Sequence, residues 1–129
     1  MKIQYQIKKQ NEFPLLMEYA KEFPITPQTI FALDETIFTN YPLTPDLLVH
    51  ELQHLIQQKK VGLKEWVYDF LHLPDRRLLY EVEAYKCQLL FIKDREKRNK
   101  MRIESAKNLS SDLYGNIATY EEAFKLLKT

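Results

Sequence analysis

Ile3, Tyr5 and Ile7 alternate with Lys2, Gln4, Gln6 and Lys8, a period of two that predicts a half-buried β-strand. Leu15, Leu16, Tyr19, Ala20 and Phe23 recur at helical spacing instead. They predict an amphipathic helix over about residues 12–22, stopped by Pro24 and Pro27. Thr29 to Leu33 and Thr36 to Thr39 are β-rich runs around the acidic pair Asp34-Glu35, the pattern of a hairpin. Thr44-Pro45-Asp46 opens a helix: Thr44 can cap, Pro45 suits the first turn and Asp46 complements the helix dipole. That helix runs to about Lys60, with Gly62 near its end. Leu63, Trp66, Val67, Phe70 and Leu71 mark a shorter helix. Leu78, Val82, Tyr85, Leu89 and Ile92 then predict one long helix over about residues 75–100, opened by Pro74-Asp75. Residues 108–116 read as a loop. Thr119 and Glu122 form a capping box that starts a terminal helix with Phe124, Leu126 and Leu127 on its apolar side. The expected fold class is α+β, as one domain over residues 1–129, with a small N-terminal sheet packed on the helices.

Composition narrows the function classes. Lys plus Arg total 19 against 18 Asp plus Glu in 129 residues, so no charge footprint for nucleic acid or an anionic membrane is present. The run from Lys93 to Lys107 holds seven basic and three acidic residues without interleaved aromatics, and reads as a solvated helix end. No apolar run approaches the ~20 residues of a membrane span, and Met1 to Tyr5 has no signal-peptide core. The lone Cys87 excludes an intramolecular disulfide and a cysteine-built metal cluster, reads as a buried small apolar residue, and fits a reducing, cytoplasmic setting. Only two glycines, Gly62 and Gly115, exclude a glycine-rich phosphate loop. The chemistry is then concentrated in three histidines, His50, His54 and His72.

Residues 50–54 are His50-Glu51-Leu52-Gln53-His54. On a helix, residues four apart lie about 6 Å apart along the axis and nearly on one face, so two imidazoles can grip one metal ion. Neutral imidazole suits Zn²⁺. Glu51 adjoins the first ligand and is placed to act as general base on a zinc-bound water. A catalytic zinc needs a third protein ligand, and His72, Asp75, Glu81 and Glu83 follow in the chain. Glu81 shares a helical face with Leu78, Ala84, Tyr85 and Gln88, which turns its carboxylate toward the partner helix. Glu83, about 160° around the helix, is the alternative third ligand.

The motif at 50–54, followed by Glu81-Val82-Glu83-Ala84-Tyr85, resembles the gluzincin metallopeptidases. The short chain and the His-Glu-Leu-x-His-x-x-Gln form, with Gln57, look most like the small single-domain minigluzincins and related phage or bacterial proteins. The resemblance covers about residues 30–90 and implies a minimal zincin-like fold with an active-site helix and a glutamate helix. It implies Zn²⁺ on His50, His54 and Glu81, and a peptide or protein substrate. It also implies that the hairpin strand before the metal helix pairs with an extended peptide. Tyr85 stands where the family carries an Asp or Asn that orients a ligand histidine. His72, Tyr80, Tyr85 and Tyr114 are the candidates for stabilising an oxyanion. The expected activity is zinc-dependent endopeptidase hydrolysis. The alternative is a weakly active or latent zincin-fold protein that binds a peptide or partner, with Asp112 of a C-terminal loop closing the metal's open position.

Overall fold

The computed structural model describes residues 3–129. Met1 and Lys2, which begin the expected strand, lie outside the described residues. Strand β1 spans Gln6–Lys8, β2 Phe31–Leu33 and β3 Thr36–Phe38, in the order β1-β3-β2. β1 runs parallel to β3, and β2 is antiparallel to it, with Leu33 opposite Thr36. The turn is the acidic pair itself: Asp34 and Glu35 both adopt left-handed backbone, at φ 50° and 59°. A two-residue turn of this hand matches the twist of the flanking strands. The hairpin is therefore as expected, and β2 is left as an edge strand.

The first strand departs from its pattern. Ile7 is 55% exposed, and all of β1 faces solvent. Ile3, ahead of the strand, packs against the cluster of Ala32, Ile37 and Leu55. The first helix, α1, is Leu16–Glu22, preceded by a 3-10 turn at Gln10–Glu12. It starts later than the periodicity suggests because Pro14 interrupts the run.

Helices α2 (Pro45–Val61), α3 (Leu63–His72) and α4 (Pro74–Phe91) follow. Thr44 flanks α2, but its hydroxyl donates to Asp46 Oδ1 at 2.7 Å and makes no cap bond to the backbone. The sheet packs on α2 through Ile37 and Leu55, joined by Ile30, Leu48 and Leu52. An aromatic core of Phe13, Tyr19, Phe31, Trp66 and Phe70 ties α1 and α3 to the hairpin.

The expected helix over 75–100 is two helices. It breaks after Phe91, and α5 is Arg95–Leu109. Asp94 caps α5 by accepting from Lys97 N at 2.9 Å, and Arg98 Nε donates to the freed carbonyl of Ile92 at 2.9 Å. No Pro or Gly marks this break; a cap residue and an arginine that binds the exposed carbonyls suffice. α5 can therefore turn back along α4. A 3-10 turn at Asp112–Tyr114 and α6 (Tyr120–Leu126) complete the fold. The capping box at Thr119 and Glu122 forms as expected, with bonds of 3.1 and 3.0 Å. Leu109, Ala123 and Leu127 are fully buried against Tyr85 and Leu89, whereas Leu126 is 42% exposed and faces out. Cys87 is half-buried, short of the buried position expected. No helix among the described residues is long and apolar enough to cross a membrane.

Gly62 joins α2 to α3 at φ 103° and ψ 136°, and an added Cβ there meets nothing within 4 Å. Its requirement is purely conformational. Gly62→Ala is expected to lower unfolding free energy by about 1–3 kcal/mol, read from the urea midpoint. An unchanged midpoint would show that the α2–α3 junction does not depend on glycine.

Candidate metal centre

Helices α2 and α4 pack against each other through faces that carry polar groups. His50, Glu51 and His54 on α2 and Glu81 on α4 are 4%, 7%, 4% and 3% exposed. Ala84, fully buried one turn beyond Glu81, allows the close approach. His50 Nε2 lies 3.1 Å from Glu81 Oε1, and His54 Nε2 lies 3.2 Å from the same carboxylate. One ligand atom from each of the three residues falls within 4.8 Å of the others. Bonds of 2.0–2.1 Å to a tetrahedral ion would separate the ligand atoms by about 3.3 Å. The imidazole–carboxylate distances fit that edge, so the group has the donors and spacing to hold a metal ion.

Each ring is also held from behind. His50 Nδ1 is 3.0 Å from Gln88 Oε1, and His54 Nδ1 is 3.0 Å from Gln57 Oε1. Gln88 Nε2 reaches Asp46 Oδ2 at 2.8 Å. Burial opposes ionisation of Asp46, but hydrogen bonds from Thr44, Gln88 and the start of α2 outweigh it and hold the carboxyl below its ordinary value.

The electrostatics follow from burial and pairing. Burial disfavours a charged His54, yet the adjacent Glu81 carboxylate dominates and pushes its pKa up to about 9. Glu81, also opposed by burial, is brought down to about 2 by the imidazoles. Burial raises Glu51, with Glu81 adding to the rise and both histidines opposing it. Among the described residues Glu51 has no hydrogen-bond partner, and it borders a cleft of about 740 Å³.

The cleft lies between the β2 edge at Thr29–Ala32 and the turned-back α5 segment, with the histidine pair and Glu81 in its lining. Phe23, Trp66 and Phe70 make one wall aromatic. Tyr85 sets its ring edge-on against His50, with centroids 4.4 Å apart, and its hydroxyl is 2.8 Å from that of Tyr114. Tyr114 is fixed through its backbone, because Arg77 Nε donates to Tyr114 O at 2.9 Å while Nη1 bonds Phe70 O. Gly115 turns the chain there at φ 83°, and a Cβ on it would press Arg77 Nη2 at 3.2 Å.

His50, Glu51, His54, Glu81, Tyr85 and Tyr114 therefore come together around one cleft. Glu83 does not join them: exposed at the edge of the α2–α4 contact, it accepts from Gln53 Nε2 at 2.7 Å and Gln57 Nε2 at 3.0 Å. His72 is exposed beside Tyr68 at the end of α3, away from the cleft. Tyr80 gives its hydroxyl to Asp69 at 2.7 Å in the core. Asp112 is exposed and outside the cleft lining; its neighbours Leu113 and Tyr114 line the cleft instead. The contributions of Gln88 and Asp46 are new. Their only sequence signal is that Gln88 shares a face with Glu81, two turns on.

A metal ion at this site must displace the proton that His54 carries below about pH 9. Metal affinity is therefore expected to rise about tenfold per pH unit between roughly pH 6.5 and 8.5. Zn²⁺ titration against a chromogenic chelator at several pH values measures this, and a flat profile would contradict the pairing. No protein-family model matches the chain, and neither the curated proteins nor the solved structures provide a match. The chemistry of this site is thus read from its geometry.

Proposed function

We propose that this protein is a zinc-dependent peptidase of minimal zincin-like architecture, with His50, His54 and Glu81 as metal ligands and Glu51 as general base. The observation that carries the reading is the buried three-residue donor group with an unpartnered carboxylate, Glu51, beside it on a cleft. Two imidazoles and one carboxylate suit Zn²⁺ and leave a fourth position for water or substrate, the arrangement of catalytic rather than structural sites. When bound, zinc supplies Lewis acidity, polarising a carbonyl and making water more acidic.

The chain's own groups do the rest. Glu51, raised by burial, is a competent base: it takes the proton of the attacking water and delivers it to the leaving amine. The Tyr85–Tyr114 hydroxyl pair, raised out of its titrating range by burial, stays protonated and offers a donor toward a developing oxyanion. The open edge of β2 supports pairing with an extended peptide backbone, and the aromatic wall supports contact with its apolar side chains. The C-terminal segment acts as a wall and not as a detachable latch, because Leu109 and Leu127 are buried in the core.

The test uses zinc-loaded protein, a mixed-peptide digest read by mass spectrometry, and three variants. Glu51→Gln is expected to keep its zinc and lose cleavage by about 10²–10⁴-fold. Glu81→Gln should weaken zinc binding far more than Glu83→Gln. Zinc-loaded wild type that cleaves nothing would favour a binding module in place of an enzyme. Stronger zinc loss in Glu83→Gln would reassign the third ligand.

A further inference from the structure

We infer that Gln57 and Gln88 are positioning residues for the metal ligands, each fixing one imidazole with a proton on Nδ1 so that Nε2 is the nitrogen left for a metal ion. The inference deepens the metal-centre reading and rests on it. Both glutamines are buried, at 4% and 1% exposure.

At each contact the amide's orientation is decided by its other partners. Gln88 Nε2 lies 2.8 Å from Asp46 Oδ2, and a carboxylate only accepts, so the NH₂ group points there. Gln88 Oε1 is left to face His50 Nδ1 at 3.0 Å. Gln57 Oε1 receives Trp66 Nε1–H at 3.1 Å, and an indole only donates. Its NH₂ meets two acceptors, Tyr80 O at 2.9 Å and Glu83 Oε1 at 3.0 Å, so Oε1 faces His54 Nδ1 at 3.0 Å. An amide oxygen cannot donate, so both Nδ1 atoms must carry hydrogen. A ring that binds metal is a neutral imidazole with one N–H, so the nitrogen it offers is Nε2, once any proton there that Glu81 accepts has been displaced.

The two supports are neutral. A carboxylate behind a ligand histidine would add negative charge and draw on the Nδ1 proton. The amides orient the rings without adding charge to a pocket that already holds Glu51 and Glu81. The charges stand one bond further out, on Asp46 behind Gln88 and on Glu83 behind Gln57. This gives Glu83 a place in the site without a metal contact: it anchors the amide that anchors His54. Asp46 does the same for His50 from the first turn of α2.

The experiment measures zinc affinity of wild type, Gln88→Met, Asp46→Ala and the double variant against a chromogenic chelator. Thermal unfolding of the metal-free proteins reports whether each folds. Gln88→Met, similar in size but with only a weak thioether acceptor in place of the amide oxygen, is expected to weaken zinc about 10–100-fold. Asp46→Ala, which frees the amide to turn, should weaken it less and add nothing in the double variant. Affinity of Gln88→Met within about twofold of wild type, or full additivity in the double variant, overturns the inference. The imidazole ¹⁵N spectrum of zinc-loaded wild type tests it without any variant. Nε2 is expected as the metal-bound nitrogen in both histidines, and Nδ1 bound in either overturns it. Wild type that takes up no zinc removes the metal-centre reading itself, and this inference with it.

Discussion

The contact of α2 with α4 buries an ionised carboxylate between two imidazoles, and the rest of the molecule is arranged around that contact. Burying Glu81 alone would be prohibitive; a carboxylate out of water must be paired and hydrogen-bonded. His50 and His54 supply the pairing at 3.1 and 3.2 Å. Their outer nitrogens are occupied by Gln88 and Gln57, whose amides are occupied in turn by Asp46, Trp66, Tyr80 and Glu83. Apart from the Glu51 carboxylate, which borders the cleft, the buried side-chain polar atoms among the described residues all have partners. Replacing such a set by well-packed apolar residues is often neutral or stabilising. Its presence at the main helix interface of a 129-residue chain therefore points to a site and not to a stability device.

The remaining elements build the cleft that borders that contact. The hairpin seals α2 through Ile37 and Leu55, and its edge strand forms one lip of the cleft. α3 backs His54 with Trp66, whose ring lies 5.6 Å from the imidazole. The break at residues 92–94 is what forms the other lip. A continuous helix would have carried Met101, Asn108 and Tyr114 away from the site, and the turn after Phe91 brings them back to line it. Arg77 joins the end of α3 to the C-terminal segment by bonding Phe70 O and Tyr114 O while its guanidinium stands 4.9 Å from the Phe23 ring.

Features set by local periodicity and caps were readable in the sequence. The hairpin around Asp34-Glu35, the helix after Pro45 and the capping box at Thr119 each depend on residues within a few positions of one another. The His50–His54 spacing needs only the helix, and the face shared by Glu81, Ala84 and Gln88 points to Glu81 over Glu83. What was not readable depends on distant segments. The break before Asp94 is stabilised by Arg98 and by packing of α5 on α4, which periodicity cannot register. β1 reads as half-buried because its alternation says nothing of which sheet edge it joins. Tyr85 packs edge-on against His50, and the Nδ1 of that ring is met by Gln88, one turn further along α4. Such amide partners are invisible until the two helices are brought together.

The measurement that tests the account most directly is a crystal structure of the protein grown with zinc, with data collected on both sides of the zinc absorption edge. One strong anomalous peak is expected within bonding distance of His50 Nε2, His54 Nε2 and the Glu81 carboxylate, open to the cleft beside Glu51. A zinc-saturated crystal with no peak there, or with zinc held by Glu83 or His72 instead, would contradict it.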